Sequence, residues 1–167
     1  AFFFYIRKAN NAFPLELGKI VGLAESGGQW DTSIWATHSV LAGFNVYQDD
    51  GRIVGVQPLL HSRTGTRPET GELLGSDSSS YRVLGGERTD QVIFVGIYHD
   101  NGAIRGIEVG LNSRGRGGPI DRLRYCGNLR GTRTTLGGRR SALSGLVAAV
   151  GQTGLVALGE LAHDDLR

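Results

Sequence analysis

The chain has 167 residues, of which 40% are hydrophobic and 20% charged, enough for about one domain with a real core. Its 27 glycines are more than double the usual share of about 7%, yet they follow no Gly-X-Y period and only four prolines accompany them, which excludes collagen and Pro-rich disorder; each interior Gly costs a helix about 0.8–1 kcal/mol, which disfavours a helical fold and leaves a turn-dense β globule. The formal charge of +2 demands no polyanionic partner.

Residues 1–25 open on Phe2-Phe3-Phe4-Tyr5-Ile6, too short for a signal core and followed, not preceded, by Arg7-Lys8. No stretch approaches the roughly 18 apolar residues of a membrane span. Ala1 and the absence of Met fit a processed or incompletely observed N-terminus. This segment reads as a docking arm or as one or two added strands over 2–7 and 15–23, and residues 26–167 read as a single domain.

The first strong signal is a hairpin. Residues 41–47 alternate, Asp49-Asp50-Gly51 turns, and 52–60 alternate again, the strongest short-range β-hairpin pattern. Weaker strands follow over 70–75 and 80–84, separated by a Ser-rich loop at 77–80. A second hairpin repeats the first: 92–98, then Asp100-Asn101-Gly102, then 103–111. Asp49/Asp100, Gly51/Gly102, Ile53/Ile104, Gly55/Gly106 and Leu60/Leu111 coincide. Residues 121–126 form another strand, in which Leu123 and Tyr125 alternate with charge and are expected to be its buried face. A third, degenerate copy runs over 142–148, turns at Gly151-Gln152-Thr153-Gly154 and returns over 155–159. Gly43, Gly96 and Gly145 mark a period of about fifty residues, and threefold repetition of four short strands fits a closed or prism-like all-β architecture. In-strand glycines are expected at bulges or at close approaches near a crowded axis.

Gly27-Gly28-Gln29-Trp30-Asp31 at the start of this region, and Leu136-Gly137-Gly138 through the third hairpin to Leu155-Val156-Ala157-Leu158-Gly159 at its end, carry a family likeness. The pattern resembles the jacalin-related lectin domains, and is similar to β-prism-like modules of large bacterial surface proteins, over residues 26–162. The resemblance implies a β-prism of three Greek-key four-stranded sheets with pseudo-threefold symmetry, binding carbohydrate through loops at one end. It also implies contact residues: Gly28, Gly151, Gln152, Thr153, Gly154 and Leu155. The family places a sugar-binding carboxylate where this chain has Val156, in a loop that reads two residues shorter. Hydrogen bonds to a charged group contribute about 1.5–3 kcal/mol each, against about −4 kcal/mol for a millimolar monosaccharide, so the usual sugar site is expected to be damaged or rebuilt.

Chemistry elsewhere is sparse. His38, His61, His99 and His163 lack metal spacing, His99 reads as a solvated turn residue, and the lone Cys126 reads as a small hydrophobe rather than a nucleophile. No metal, cofactor or catalytic residue is expected. Residues 112–140 concentrate eight of the sixteen arginines against Asp121 alone; Arg114, Arg116, Arg139 and Arg140 form the candidate basic patch. With only Tyr125 interleaved, nucleic acid is disfavoured. The expected partners are a glycan or an acidic protein surface. The expected function is a non-catalytic carbohydrate-binding module, with an extracellular or cell-surface setting favoured. The alternative is an assembly subunit that has lost sugar binding and docks through its arm and Arg-rich face, as a homo-oligomer or within a larger complex.

Overall fold

The computed structural model describes residues 15–22, 29–35, 39–62, 68–87, 89–100, 102–114, 118–137, 143–151 and 154–163. All regular structure among them is β-strand. In chain order the strands are β1 (Leu15–Gly22), β2 (Gln29–Ile34), β3 (Ser39–Asp49), β4 (Arg52–Ser62), β5 (Glu69–Thr70), β6 (Leu74–Gly75), β7 (Ser80–Gly85), β8 (Gln91–Asp100), β9 (Ala103–Asn112), β10 (Arg122–Gly127), β11 (Thr132–Gly137), β12 (Leu143–Gly151) and β13 (Gly154–His163). They form three antiparallel sheets, the sides of a prism. Each is centred on one hairpin and flanked by two outer strands: β5-β4-β3-β7, with β6 sharing the β4 edge, then β10-β9-β8-β11, then β1-β13-β12-β2. The first two sheets take their outer strands from the chain that follows the hairpin. The third takes its outer strands from the N-terminal part, so β1 and β2 close the prism against the last hairpin.

The repetition is tighter than the glycines suggested. Each hairpin has a bulge near its open end, at Ala42, Ile93 and Ser144, and a second near its turn, at Val54, Arg105 and Val156. Both series step by 51 residues twice. Gly43 and Gly145 follow bulges, but Gly96 pairs regularly with Glu108, so the middle member of the expected glycine series is displaced by two. The in-strand glycines also lie off the axis. Gly55 and Gly106 face outward, where the chain leaving β6 and β10 crosses so closely that a Cβ would strike the backbone of Ser76 and Asn128. That crossing has a purpose: Ser76 N and Asn128 N each donate to a bulge carbonyl, Val54 O and Arg105 O, at 2.9 Å, satisfying groups that the bulge removes from the ladder.

The inward positions follow the same step. Ile53, Ile104 and Leu155 form one layer; Val56, Ile107 and Leu158 another; Phe44, Val95 and Leu146 a third; Val46, Ile97 and Ala148 a fourth. All are buried in one continuous core. Period-2 alternation delivers one side chain per hairpin to each layer, and burying each large one is worth about 1.5–3 kcal/mol. Cys126 belongs to this core. It immediately precedes Gly127, as Leu74 precedes Gly75 and Val21 precedes Gly22, and all three are buried. Burial pushes its thiol above the ordinary range, opposed by nearby Arg82, consistent with a small hydrophobe.

One strand has the opposite phase to the one expected. In β10, Leu123 and Tyr125 face outward and are 54% and 49% exposed, whereas Arg122 and Cys126 face inward. The cause is a seam between sheets. Arg122 turns toward the β7–β8 connection, where Nη2 lies 2.6 Å from Asp90 Oδ2 and Nη1 lies 3.2 Å from Glu87 Oε2. The Asp90 side chain is wholly buried and also accepts from Glu87 N at 3.0 Å. With the opposite phase Arg122 would point away from Asp90 and leave that buried carboxylate without its cation, which is costly. Arg82 then lies over the outward Tyr125 ring at 5.6 Å.

Candidate functional site

The three turns gather at one end of the prism. In the first, Asp50 and Gly51 both have positive φ, 50° and 73°, the paired left-handed conformation that suits the right-handed twist of a hairpin. Arg105 ties the second turn to the first: its Nε donates to Asp100 Oδ1 at 2.8 Å and its Nη1 to Gly51 O at 3.4 Å. The third turn leans on the first through Gly154. With φ at 104°, a Cβ there would lie 2.8 Å from Val54 O and 2.9 Å from Val54 Cβ, so only glycine fits. Gly151 is less constrained; a Cβ would meet Val156 Cγ1 at 3.2 Å.

Both outer strands of the third sheet meet this end. β1 finishes here, with Gly22 opposite Ala157, and β2 begins here, with Gln29 opposite Val150. The start of β2 and the third turn, expected to cooperate, therefore sit on adjacent strands. Gly28, Gln152 and Thr153 themselves lie outside the described residues. Leu155 is placed with its side chain in the core, which leaves only its backbone for contact. The bulge beside the turn is the place where the family resemblance expects a carboxylate. The three copies carry Val54, Arg105 and Val156 there, and Val156 is partly exposed. No copy has a carboxylate at this position.

Of the basic residues, Arg114 is placed away from the turns. Arg114 comes two residues after Asn112, which pairs with Gln91 at the far end of the second sheet. A strand of ten residues at about 3.3 Å per residue puts that end roughly 30 Å from the turns. Arg116, Arg139 and Arg140 lie outside the described residues. The described ends of the connection at 112–121 are tied together by polar side chains. Asn112 Nδ2 donates to Pro119 O at 2.6 Å, and Asp121 accepts from Ser113 Oγ at 2.6 Å and from Ser113 N at 3.1 Å. The Ser113 hydroxyl, more than the neighbouring Arg122 and Arg114, holds the Asp121 carboxyl below its usual 3.8. His99 is not a solvated turn residue. It is a half-buried member of β8 with Nε2 3.1 Å from Thr134 Oγ1, and His61 is buried against Glu87 O.

Sequence reasoning missed a feature on the outward side of the second sheet. A groove of about 760 Å³ runs between β11 and β1, lined by Lys19, Ile93, Phe94, Ile120, Arg133 and Thr135 among others. It is not at the turn end. Its two cations come from strands 114 residues apart in sequence, and no local motif announces such a pairing.

No sequence-family model matches the chain, and no curated protein does either. Solved structures do. A recombinant single-chain jacalin superposes with a TM-score of 0.65 at 13% identity, covering 93% of this chain and 99% of its own. A mannose-specific jacalin-related lectin from Morus nigra gives 0.60 at 16% identity over 89% and 94%. A mannose-binding jacalin-related lectin from Ananas comosus gives 0.59 at 13% identity over 89% and 97%. Three hairpin-centred sheets, paired bulges and end-to-end superposition on these structures make the fold of this chain the jacalin-type β-prism.

Proposed function

We propose that the protein is a non-catalytic carbohydrate-binding module that meets its glycan at the turn end of the prism. The observation that carries this reading is the meeting of the third turn with the start of β2, Gly151 opposite Gly154 and Gln29 opposite Val150, on a prism whose solved counterparts include mannose-binding lectins. The contact set is Gly28, Gly151, Gln152, Thr153 and Gly154, with the backbone of Leu155. Recognition rests on backbone donors and the two polar side chains of the turn, because Val156 supplies no charged acceptor. Such a site favours extended glycans that contact several loops over single sugars.

A glycan array followed by calorimetry tests the reading. Binding of an oligosaccharide, lost in a Gln152→Ala/Thr153→Ala variant that melts like the parent, supports it. Installing the missing acceptor with Val156→Asp should raise affinity for a simple mannoside by at least about tenfold, the equivalent of one charge-assisted bond. Flat traces for the parent on every glycan, and for Val156→Asp on mannosides, would overturn it. A second reading, a subunit of a larger assembly, is favoured by the outward apolar side chains of two edge strands: Tyr81 and Val83 on β7, Leu123 and Tyr125 on β10, each about half exposed. Edge-strand apolar groups of this kind suit protein contact. Light scattering on the intact chain distinguishes the two readings, since a strict monomer removes the support for assembly into homo-oligomers.

A further inference from the structure

We infer that the groove on the outward side of the second sheet is a separate binding site for an acidic saccharide, one carrying a carboxylate or sulfate. Phe94 packs over Gly110, so close that a Cβ there would strike its ring, and the Arg133 guanidinium carbon lies over the rings of Phe94 and Tyr98, 5.3 Å and 6.0 Å from their centroids. Stacking on aromatic faces fixes a guanidinium plane. Here a hydrogen bond adds to the ring contacts, since Nη1 also donates to Thr135 Oγ1 at 2.7 Å.

Thr135 holds a second cation. Lys19 Nζ, arriving from β1, donates to Thr135 O at 3.2 Å. Two positive groups are thus tethered to the two oxygens of one residue. Among the described residues that line the groove, these two are charged and none is acidic. The nearby carboxylates are engaged at its margins. Glu108 Oε1 stands 3.4 Å from Arg133 Nη2, a long contact, and Glu160 accepts from Gly137 N at 2.7 Å and from Lys19 N at 3.1 Å. Two cations tied to one residue favour an anion beside them, and Arg presents the forked donors that match carboxylate and sulfate. The remaining surface is that of a sugar site rather than of a bare anion site. Ile93, Ile120 and the edge of Phe94 offer apolar contact to the C–H face of a ring, the volume falls within the range of small-ligand sites, and threonine hydroxyls border it.

The test is calorimetry on the whole chain with three tetrasaccharides: heparin-derived, hyaluronan-derived and neutral mannan-derived. The site predicts binding of the heparin fragment, of the hyaluronan fragment or of both, weakened steeply by added salt, with the mannan fragment failing to compete. Binding of both assigns the carboxylate as sufficient, and binding of the heparin fragment alone assigns sulfate. Lys19→Gln, at an exposed side chain, should weaken binding about tenfold. Arg133→Lys should weaken it as much although the charge is kept, because the stacked fork is lost. Gln152→Ala/Thr153→Ala, which should abolish neutral-glycan binding at the turn end, should leave the salt-sensitive binding of the anionic fragment in place, which separates the two sites. Absence of anionic binding, indifference to both groove variants, or equal competition by duplex DNA would overturn the assignment.

Discussion

The second and third sheets share one backbone and differ in nearly everything it displays. Beside its turn the second carries Arg105, ion-paired to Asp100; the third carries Val156 at the same bulge. The outward face of the second holds Arg133, Glu108, Phe94 and Tyr98. That of the third is apolar, with Val147 and Leu161 fully buried and Leu17, Trp30 and Ile34 packed against them. The seams differ as well: the second sheet meets the first through Arg82 over Tyr125, beside the Arg122–Asp90 pair, whereas the third is tied to Trp35, whose Nε1 donates to Leu143 O at 3.1 Å. Inward layers and bulge carbonyls determine the prism. Turns and outward faces are left to vary, and binding chemistry can differ from side to side of one molecule.

That division predicts a graded set of effects. The largest belongs to the ionic seam. Asp90→Ala leaves Arg122 half-buried with only Glu87, and removing one partner of a buried pair costs about 3–5 kcal/mol; urea unfolding should show a loss of about 3 kcal/mol. Next comes the turn contact between sheets. Gly154→Ala forces an alanine to a φ of 104° against Val54, and such strain costs about 1–3 kcal/mol, whereas Gly151→Ala should cost less than about 1 kcal/mol in the same assay. Smaller still is Arg105→Ala. Both partners of that pair are about one-third or more exposed, and exposed pairs contribute about 0–1 kcal/mol. An equal loss for Asp90→Ala and Arg105→Ala would break the contrast between seam and turn.

The smallest effect is one of pH. Asp121 titrates below its usual 3.8 because Ser113 donates to its ionised form. A carboxyl depressed in the folded chain stabilises above its unfolded pKa, and that contribution is lost as pH falls through the lower folded value. The loop at 112–121 should therefore loosen only below about pH 3.8, and NMR titration of Asp121 should return toward the ordinary value in Ser113→Ala.

The hairpins were legible because their information is local. Asp-Gly or Asn-Gly flanked by alternation specifies a turn and two inward faces without reference to distant residues. The period was legible only approximately, because glycine marks more than bulges: at Gly96 it makes room for Arg133, whose Nη2 would lie 3.0 Å from a Cβ. The phase of β10 was not legible. Asp90, which draws Arg122 inward, lies more than thirty residues away, and an edge strand at a seam has polar partners on its inner side. At the candidate site, the pairing of the last hairpin with the start of β2 was readable from the family likeness. Leu155 is expected from the sequence as a backbone donor, and its side chain lies in the core. The lateral groove joins Lys19 to Arg133 by tertiary proximity alone.

The most direct measurement is a backbone amide NMR titration of the intact chain with the best neutral oligosaccharide from the array. The account predicts saturable shifts confined to the turn end, strongest at Gly151, Gly154 and Leu155 and extending to Gln29. Shifts centred instead on the exposed β7 and β10 strands, or no saturable shift at the turn end with any array-positive neutral glycan, would contradict it.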